Sequence, residues 1–416
     1  MDGETARGGY SGEMLAEVPA LLQRVVDAGE AAGFVTLLWR DGEVVQVSAV
    51  GQRDTAAGLP MTRDTLFRIA SMTKPITSAA ALMLMEQGKL RLDDPITRWA
   101  PEFADMKVLK DPAGPLEAAT PSPRDITIED LLTHRAGLSY TFNSDGPIAI
   151  AYDQDLGWPL ASPLTADEWM RRLGALPLLY PPGERFHYSH STDVLGFIVE
   201  RIAGRPLGET LRTMIFDPLG MKDTGFWVEP ARRERHAHIY RRYPDGQVRD
   251  ATYGLTPTPI PWESGGGGLI STVDDYLTFA RMLLGEGEAD GVRLLRPETV
   301  KLMRTNRLTE AQRQIPFFGQ PIWSLMGFGL GLSCIMNAQL AAMAGAGSEG
   351  SFGWPGAFGT WWMADPVTNA ILIYLVQESA TDFGPGTPAA DAAVAVLGGR
   401  TTLPLFQKAA YKALGL

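Results

Sequence analysis

Between residues 14 and 32 apolar side chains recur at helical spacing, with Leu15, Val18, Leu21, Leu22, Val25 and Val26 on one face. That periodicity predicts an amphipathic helix. Two apolar runs follow, 34–39 and 44–50, joined around Asp41-Gly42. Asp-Gly between strand-like runs predicts a hairpin. From about 72 to 87 the pattern changes, and Ile76 and residues 79–85 leave almost no polar face. Such a helix is expected to be buried on every side, with Gly88 as its stop.

A proline-rich, polar stretch then runs from Asp93-Asp94-Pro95 to about Glu263, and within it 128–132, 166–173 and 193–203 read as short helices. Four glycines at 265–268 precede an apolar-periodic stretch, 269–284, predicted to be a helix capped by Ser271 or Thr272. Strands are predicted at 328–334, 358–363 and 370–376. In the last of these Ala370, Leu372 and Tyr374 alternate with Ile371, Ile373 and Leu375, so both faces are expected to be covered. Residues 389–397 read as a final helix. The predicted class is α+β. Residues 1–93 and 264–416 form an antiparallel sheet flanked by helices, and 94–263 form a mainly helical domain. A crevice between two such units is a common place for a site.

Composition narrows the chemistry. The net charge of −11 and the absence of a basic run exclude a nucleic-acid footprint. Cys334 is the single cysteine among 416 residues, which excludes an internal disulfide or a multi-cysteine metal site. The first twelve residues lack a basic start and an apolar stretch, so no signal peptide is expected. No apolar run reaches the roughly 18 residues of a membrane helix. The expectation is a soluble, cytoplasmic protein acting on a small molecule, with no nucleic acid or membrane partner.

Candidate chemistry centres on Ser71-Met72-Thr73-Lys74 at the start of the buried helix. Serine and lysine three apart share one helical face. Pro75 is tolerated only near a helix start, which puts Ser71 at or just before the first turn. Serine needs a base to act as a nucleophile, and a lysine desolvated against an apolar helix can lose its charge and serve as one. A helix-capping serine followed by a snorkelling lysine is the bland alternative on spacing alone.

The neighbouring strings are informative together. Asp64-Thr65-Leu66-Phe67-Arg68-Ile69-Ala70 leads into the motif and Leu90-Arg91-Leu92-Asp93-Asp94-Pro95 follows it. Further along stand Leu131-Leu132-Thr133-His134-Arg135-Ala136-Gly137-Leu138, Pro218-Leu219-Gly220-Met221-Lys222-Asp223-Thr224 and the stretch from Ser264 to Asp274. From about residue 34 onward the chain resembles the class C β-lactamase group, and within it the family VIII carboxylesterases.

The resemblance implies a serine esterase working through an acyl-enzyme, with no metal or organic cofactor and a small-molecule ester as substrate. It carries Tyr188, in Tyr188-Ser189-His190, onto the tyrosine that bridges serine and lysine and shuttles a proton. An adjacent Lys⁺ is expected to lower that phenol toward a useful range. His190 stands where the β-lactamases carry asparagine, which leaves amide recognition in doubt; a solvent-facing loop histidine is the alternative. Trp354-Pro355-Gly356 matches the segment that is Lys-Thr-Gly in β-lactamases. Tryptophan cannot pair with a lactam carboxylate and offers an apolar wall, so neutral esters are expected. Gly356 is expected to bring its strand close to substrate. The N–H groups of Ser71 and Ala357 are expected to form the oxyanion hole. Tyr140, Trp158, Phe317, Phe318, Trp323 and Trp361 are candidate cleft walls.

A Ser–His–Asp enzyme is disfavoured because the elbow pattern is missing: 346–350 read Ala-Gly-Ser-Glu-Gly. His236 and His238 lack a third ligand signature for zinc. An acyltransferase would use the same residues. A β-lactamase or peptidase is disfavoured by Trp354. A silent binding module would be expected to have lost Ser71, Lys74 or Tyr188.

Overall fold

Residues 33–54 fold as the predicted hairpin. Strands β1 (Gly33–Arg40) and β2 (Glu43–Asp54) pair antiparallel, and the turn residues Asp41 and Gly42 take φ of 50° and 99°. Positive φ at both positions is what a two-residue hairpin turn of matching twist requires. The computed structural model in which this is seen describes residues 5–6, 10–158, 160–243, 245–252, 255, 257–379 and 402–415. The hairpin continues into β3 (Leu59–Pro60) and is joined by strands from the far end of the chain. These are β4 (Met326–Phe328), β5 (Ser333–Ile335), β6 (Phe352–Gly353), β7 (Trp361–Asp365) and β8 (Ala370–Leu375). Among the described residues they form an eight-stranded antiparallel sheet in the order β4-β5-β6-β7-β8-β1-β2-β3.

The two ends of the chain meet where β8 lies against β1, Ile373 opposite Leu37. The helices that matter for the sheet and the site are α1 (Gly12–Asp27), α2 (Thr73–Glu86), α3 (Ile128–Leu132), α4 (Ala166–Ala175), α5 (Ser191–Ala203), α6 (Val273–Leu284) and α7 (Thr402–Ala413). Side chains alternate across a strand, so Leu37, Ile371, Ile373 and Leu375 face α2 and α6 while Phe34, Leu38, Leu372 and Tyr374 face α1 and α7. The double alternation in 370–375 therefore has the predicted cause. The apolar cluster on the α2 side runs on without a break into α3, α4 and α5. The 94–263 segment also holds strands: Lys107–Leu109 pairs with Ala119–Pro121, and Tyr240–Arg242 lies between Val248–Asp250 and Glu378–Ser379.

Several expectations shift. The first helix stops at Asp27, followed by Gly29 at φ 67°. Residues 270–271 pair as a short strand with Phe67–Arg68, so the helix begins at Val273, and Thr272 is its cap, accepting from the Asp275 N–H at 3.3 Å. The run 328–334 is a hairpin between β4 and β5, because Gly331, at φ 90°, reverses the chain. The strand expected at 358–363 begins at Trp361. The helix expected at 389–397 lies outside the described residues. The amphipathic helix α7, with Leu403, Phe406 and Ala410 buried, went unpredicted.

Candidate active site

Ser71 sits in a single tight turn, Ala70–Met72, that runs directly into α2. Ala70, the residue before it, takes φ of 45°, a left-handed conformation uncommon for a side chain with a Cβ. Several contacts hold it there. The Ile69 N–H donates to the Leu269 carbonyl at 3.0 Å, and the Thr360 hydroxyl donates to the Ile69 carbonyl at 3.2 Å. Tyr276 in α6 donates to the Met72 carbonyl at 2.9 Å. Pro75 falls in the first turn of α2, where a missing N–H costs nothing.

Lys74 is fully buried, and its Nζ lies 3.1 Å from Ser71 Oγ, 3.2 Å from Tyr140 Oη and 2.6 Å from the Gly266 carbonyl. Three acceptors match the three hydrogens of an ammonium. A neutral amine fits equally well, donating twice and taking the Ser71 proton on its lone pair. Burial pushes the Lys74 amine down to about 7, a fall moderated by the charge of Asp193. Near neutral pH the group is poised between both states.

Tyr188, buried, donates to Ser71 Oγ at 2.7 Å and accepts from the Trp354 indole N–H at 3.1 Å. With Lys74 neutral, the donors run one way: Trp354 to Tyr188 to Ser71 to the lysine lone pair. The expectation that Lys74 lowers the tyrosine does not hold. Burial raises the Tyr188 phenol, against smaller opposing hydrogen bonds from Ser71 and Trp354. The lysine nitrogen lies over the Tyr188 ring, 4.6 Å from its centre, and not against the hydroxyl.

Asp193, at the start of α5, ties these parts together. It is buried; its Oδ1 accepts from the Ser264 hydroxyl at 2.5 Å and the Gly266 N–H at 2.9 Å, and its Oδ2 lies 2.8 Å from His190 Nδ1. Burial acts to raise the carboxyl, but the bonds from His190 and Ser264 and the charge of Lys74 hold it below its ordinary value. A Cβ on Gly266 would stand 2.9 Å from both Asp193 oxygens. That explains a glycine there: only a bare backbone lets this turn reach Lys74.

An open cleft lies over Ser71. Tyr140, Trp158, Ala357 and Phe358 form much of its apolar lining, and His190 lies at its base. His190 is not a solvent-facing loop residue. It is 2% exposed, with its ring edge against Tyr140 at 4.3 Å.

The Trp354 segment behaves differently from its expectation. Trp354 stands behind Tyr188 in a buried aromatic cluster with Phe186, Phe317, Trp323 and Phe328, so it supports the tyrosine and does not wall the cleft. A Cβ on Gly356 would meet Thr360 Oγ1 at 2.2 Å and the Ile69 carbonyl at 2.4 Å. The glycine lies in the loop between β6 and β7, not in a strand, and brings that loop against the Ser71 turn and not against substrate. Of the other candidate walls, Tyr140 and Trp158 line the cleft; Phe317, Phe318 and Trp323 belong to the aromatic cluster, and Trp361 packs in the core on the α1 side.

Other features are accounted for elsewhere. Ser348 bonds to Asp365 in a surface turn. His236 is buried and pushed down to about 3, chiefly by burial, while His238 lies between Asp54 and Asp250. Among the described residues no group of three or more His, Cys, Asp or Glu could hold a metal ion, and no helix is long and apolar enough to cross a membrane.

Sequence reasoning missed the Gly266 carbonyl, the Asp193 clamp and the Tyr140 hydroxyl as a partner of Lys74. The glycine run before α6 and the spacing of Tyr188 to Asp193 were the available signals, and neither states a partner.

Comparison with known proteins shows what the whole chain is similar to. Protein Rv1367c of Mycobacterium tuberculosis H37Rv is 48% identical over 405 residues, 95% of this chain and 98% of that one. Esterase EstB of Burkholderia gladioli is 32% identical over 396 residues, 88% and 91% of the two chains. The solved structure of EstCE1, a hydrolase with promiscuous acyltransferase activity, matches with a TM-score of 0.76 at 28% identity, covering 96% of this chain and 99% of that one. Residues 18–396 match the family model described as Beta-lactamase, a span that includes the Ser71 turn, the Tyr188 segment and the strands behind them. With motif, fold and full-length similarity coinciding, the chain belongs to the beta-lactamase family.

Proposed function

We propose that this protein is a serine carboxylesterase that hydrolyses small neutral esters, short acyl chains included, through an acyl-enzyme. One observation carries the reading: Ser71 Oγ is bonded to both Lys74 Nζ and Tyr188 Oη while it opens onto a cleft with no lysine or arginine among its described lining residues. Neutral Lys74 takes the proton from Ser71 as Oγ attacks the ester carbonyl. The N–H groups of Ser71 and Ala357 receive the oxyanion, a kind of stabilisation worth several kcal/mol in such sites, roughly 3–4 per donor. Tyr188 gives its proton to the leaving alcohol and is reprotonated from Lys74. Water then enters by the same route and releases the acid. Among the described lining residues an anionic lactam meets no lysine or arginine to pair with its carboxylate, which favours neutral esters over β-lactams.

The likeness to EstCE1 supports a second reading, in which an alcohol replaces water and the protein acts as an acyltransferase. The test is hydrolysis of p-nitrophenyl butyrate by the wild type and by Ser71→Ala. The expected result is turnover by the wild type and loss of about three orders of magnitude or more in the variant. Unchanged activity in the variant would make Ser71 a helix cap. Adding an alcohol then separates the two readings by the share of ester product.

A further inference from the structure

Among its described lining residues the cleft has one carboxylate, Asp153, and no lysine or arginine. From 136 to 170 the chain has Asp145, Asp153, Asp155, Asp167 and Glu168, and no lysine or arginine. Residues Tyr152–Leu156 form a π-helical turn, a distortion that often marks functional positions. It is closed by Gly157 at φ 69°, and Asp153 in this turn lines the cleft. Asp153 makes no ion pair with any described residue, unlike Glu168, which is bound by Arg171 and Arg172. Beside it the cleft is lined by aromatic side chains: Trp158, Tyr140, and Phe142 stacked on Tyr140 at 4.9 Å. An ester held at Ser71 has these rings and Asp153 along one wall of its cleft.

Resting on the esterase reading above, we propose that the cleft selects esters whose outer arm carries a positive charge, an amine or quaternary ammonium, with Asp153 as counter-charge and Trp158, Tyr140 and Phe142 as its aromatic bed. An unpaired carboxylate next to aromatic faces is a recognised way to hold such a cation. A carboxylate on the cleft wall also makes the local potential negative, which draws cations in and disfavours carboxylate-bearing substrates.

The experiment compares butyrylcholine with 3,3-dimethylbutyl butyrate, which has the same shape but carbon in place of the charged nitrogen. The wild type is expected to favour the choline ester about tenfold in kcat/KM. Asp153→Asn should cut that ratio to about threefold or less, and so should raising the salt from about 0.05 to 0.5 M. Calorimetry on the Ser71→Ala protein reads the same preference in binding, without turnover. A ratio near one in the wild type, or a preference that survives Asp153→Asn, overturns the inference even when both esters are hydrolysed. Absence of turnover with the binding preference intact would instead overturn the esterase reading and leave the cation site standing.

Discussion

Ser71 stands between two unlike surroundings. On one side Lys74, Tyr140, Tyr188 and Asp193 are all buried, and each polar atom has a named partner. On the other, Asp153 is exposed and Trp158 half-buried, and the walls come from a π-helical turn and a loop. The buried side holds its groups in one geometry because any displaced polar atom there would be left unpaired, at roughly 1–3 kcal/mol each. The open side has no such penalty. The contrast teaches that this molecule largely separates how it reacts from what it accepts, with Tyr140, which bonds Lys74 and also lines the cleft, at the boundary: proton handling is rigid and common to every ester, and selection is left to surface that can vary.

That contrast can be broken or sharpened. The largest effect is expected from Lys74→Arg, because a guanidinium stays charged and cannot take the Ser71 proton. Activity should fall by about 10³-fold or more on every ester, measured as kcat/KM across a substrate panel. Tyr188→Phe keeps the ring but removes the proton donor, and a loss of about 10²-fold in kcat is expected, in the range of a general acid. Asp193→Asn should cost less in rate but move the pH profile. The wild-type rate should rise with pH through about 7, as Lys74 loses its proton, and level off above. Because Asp193 favours the ammonium, its neutralisation lowers the lysine further, and the rising limb should move to lower pH. Trp354→Phe removes one hydrogen bond to Tyr188, and a drop of about fivefold in kcat is expected. By contrast Trp158→Ala should change KM unequally between substrates and leave the pH limb in place. If it moved the limb, the two surroundings would not be separable.

The buried side was also the more legible one. Ser71, Lys74 and Tyr188 stand in short motifs, and the all-apolar face of 72–87 already implied a desolvated lysine. The same holds for the sheet: the double alternation in 370–375 and the Asp-Gly turn at 41–42 give β8 and β1 to within a residue, while β2 runs on four residues past the predicted end at 50. What local pattern could not give was where distant segments land. Trp354 reads as an apolar wall until the fold places Phe186, Phe317 and Phe328 around it and turns its N–H onto Tyr188. Gly356 reads as a substrate contact until Ile69, almost 300 residues earlier, is seen beneath it. The hairpin of β4 and β5 reads as one strand because Leu330 and Leu332 continue the apolar pattern through the turn at Gly331.

The central claim is that neutral Lys74 activates Ser71, and its most direct test is the pH dependence of covalent labelling. The wild-type protein would be treated with a fluorophosphonate from about pH 5 to 9, the adduct mapped by peptide mass and its rate measured. The account predicts one adduct, on Ser71, forming about tenfold faster per pH unit below about 7 and at a constant rate above. An adduct on another residue, or a Ser71 rate that still climbs toward pH 9 as an ordinary lysine or a free serine would make it, would contradict the account.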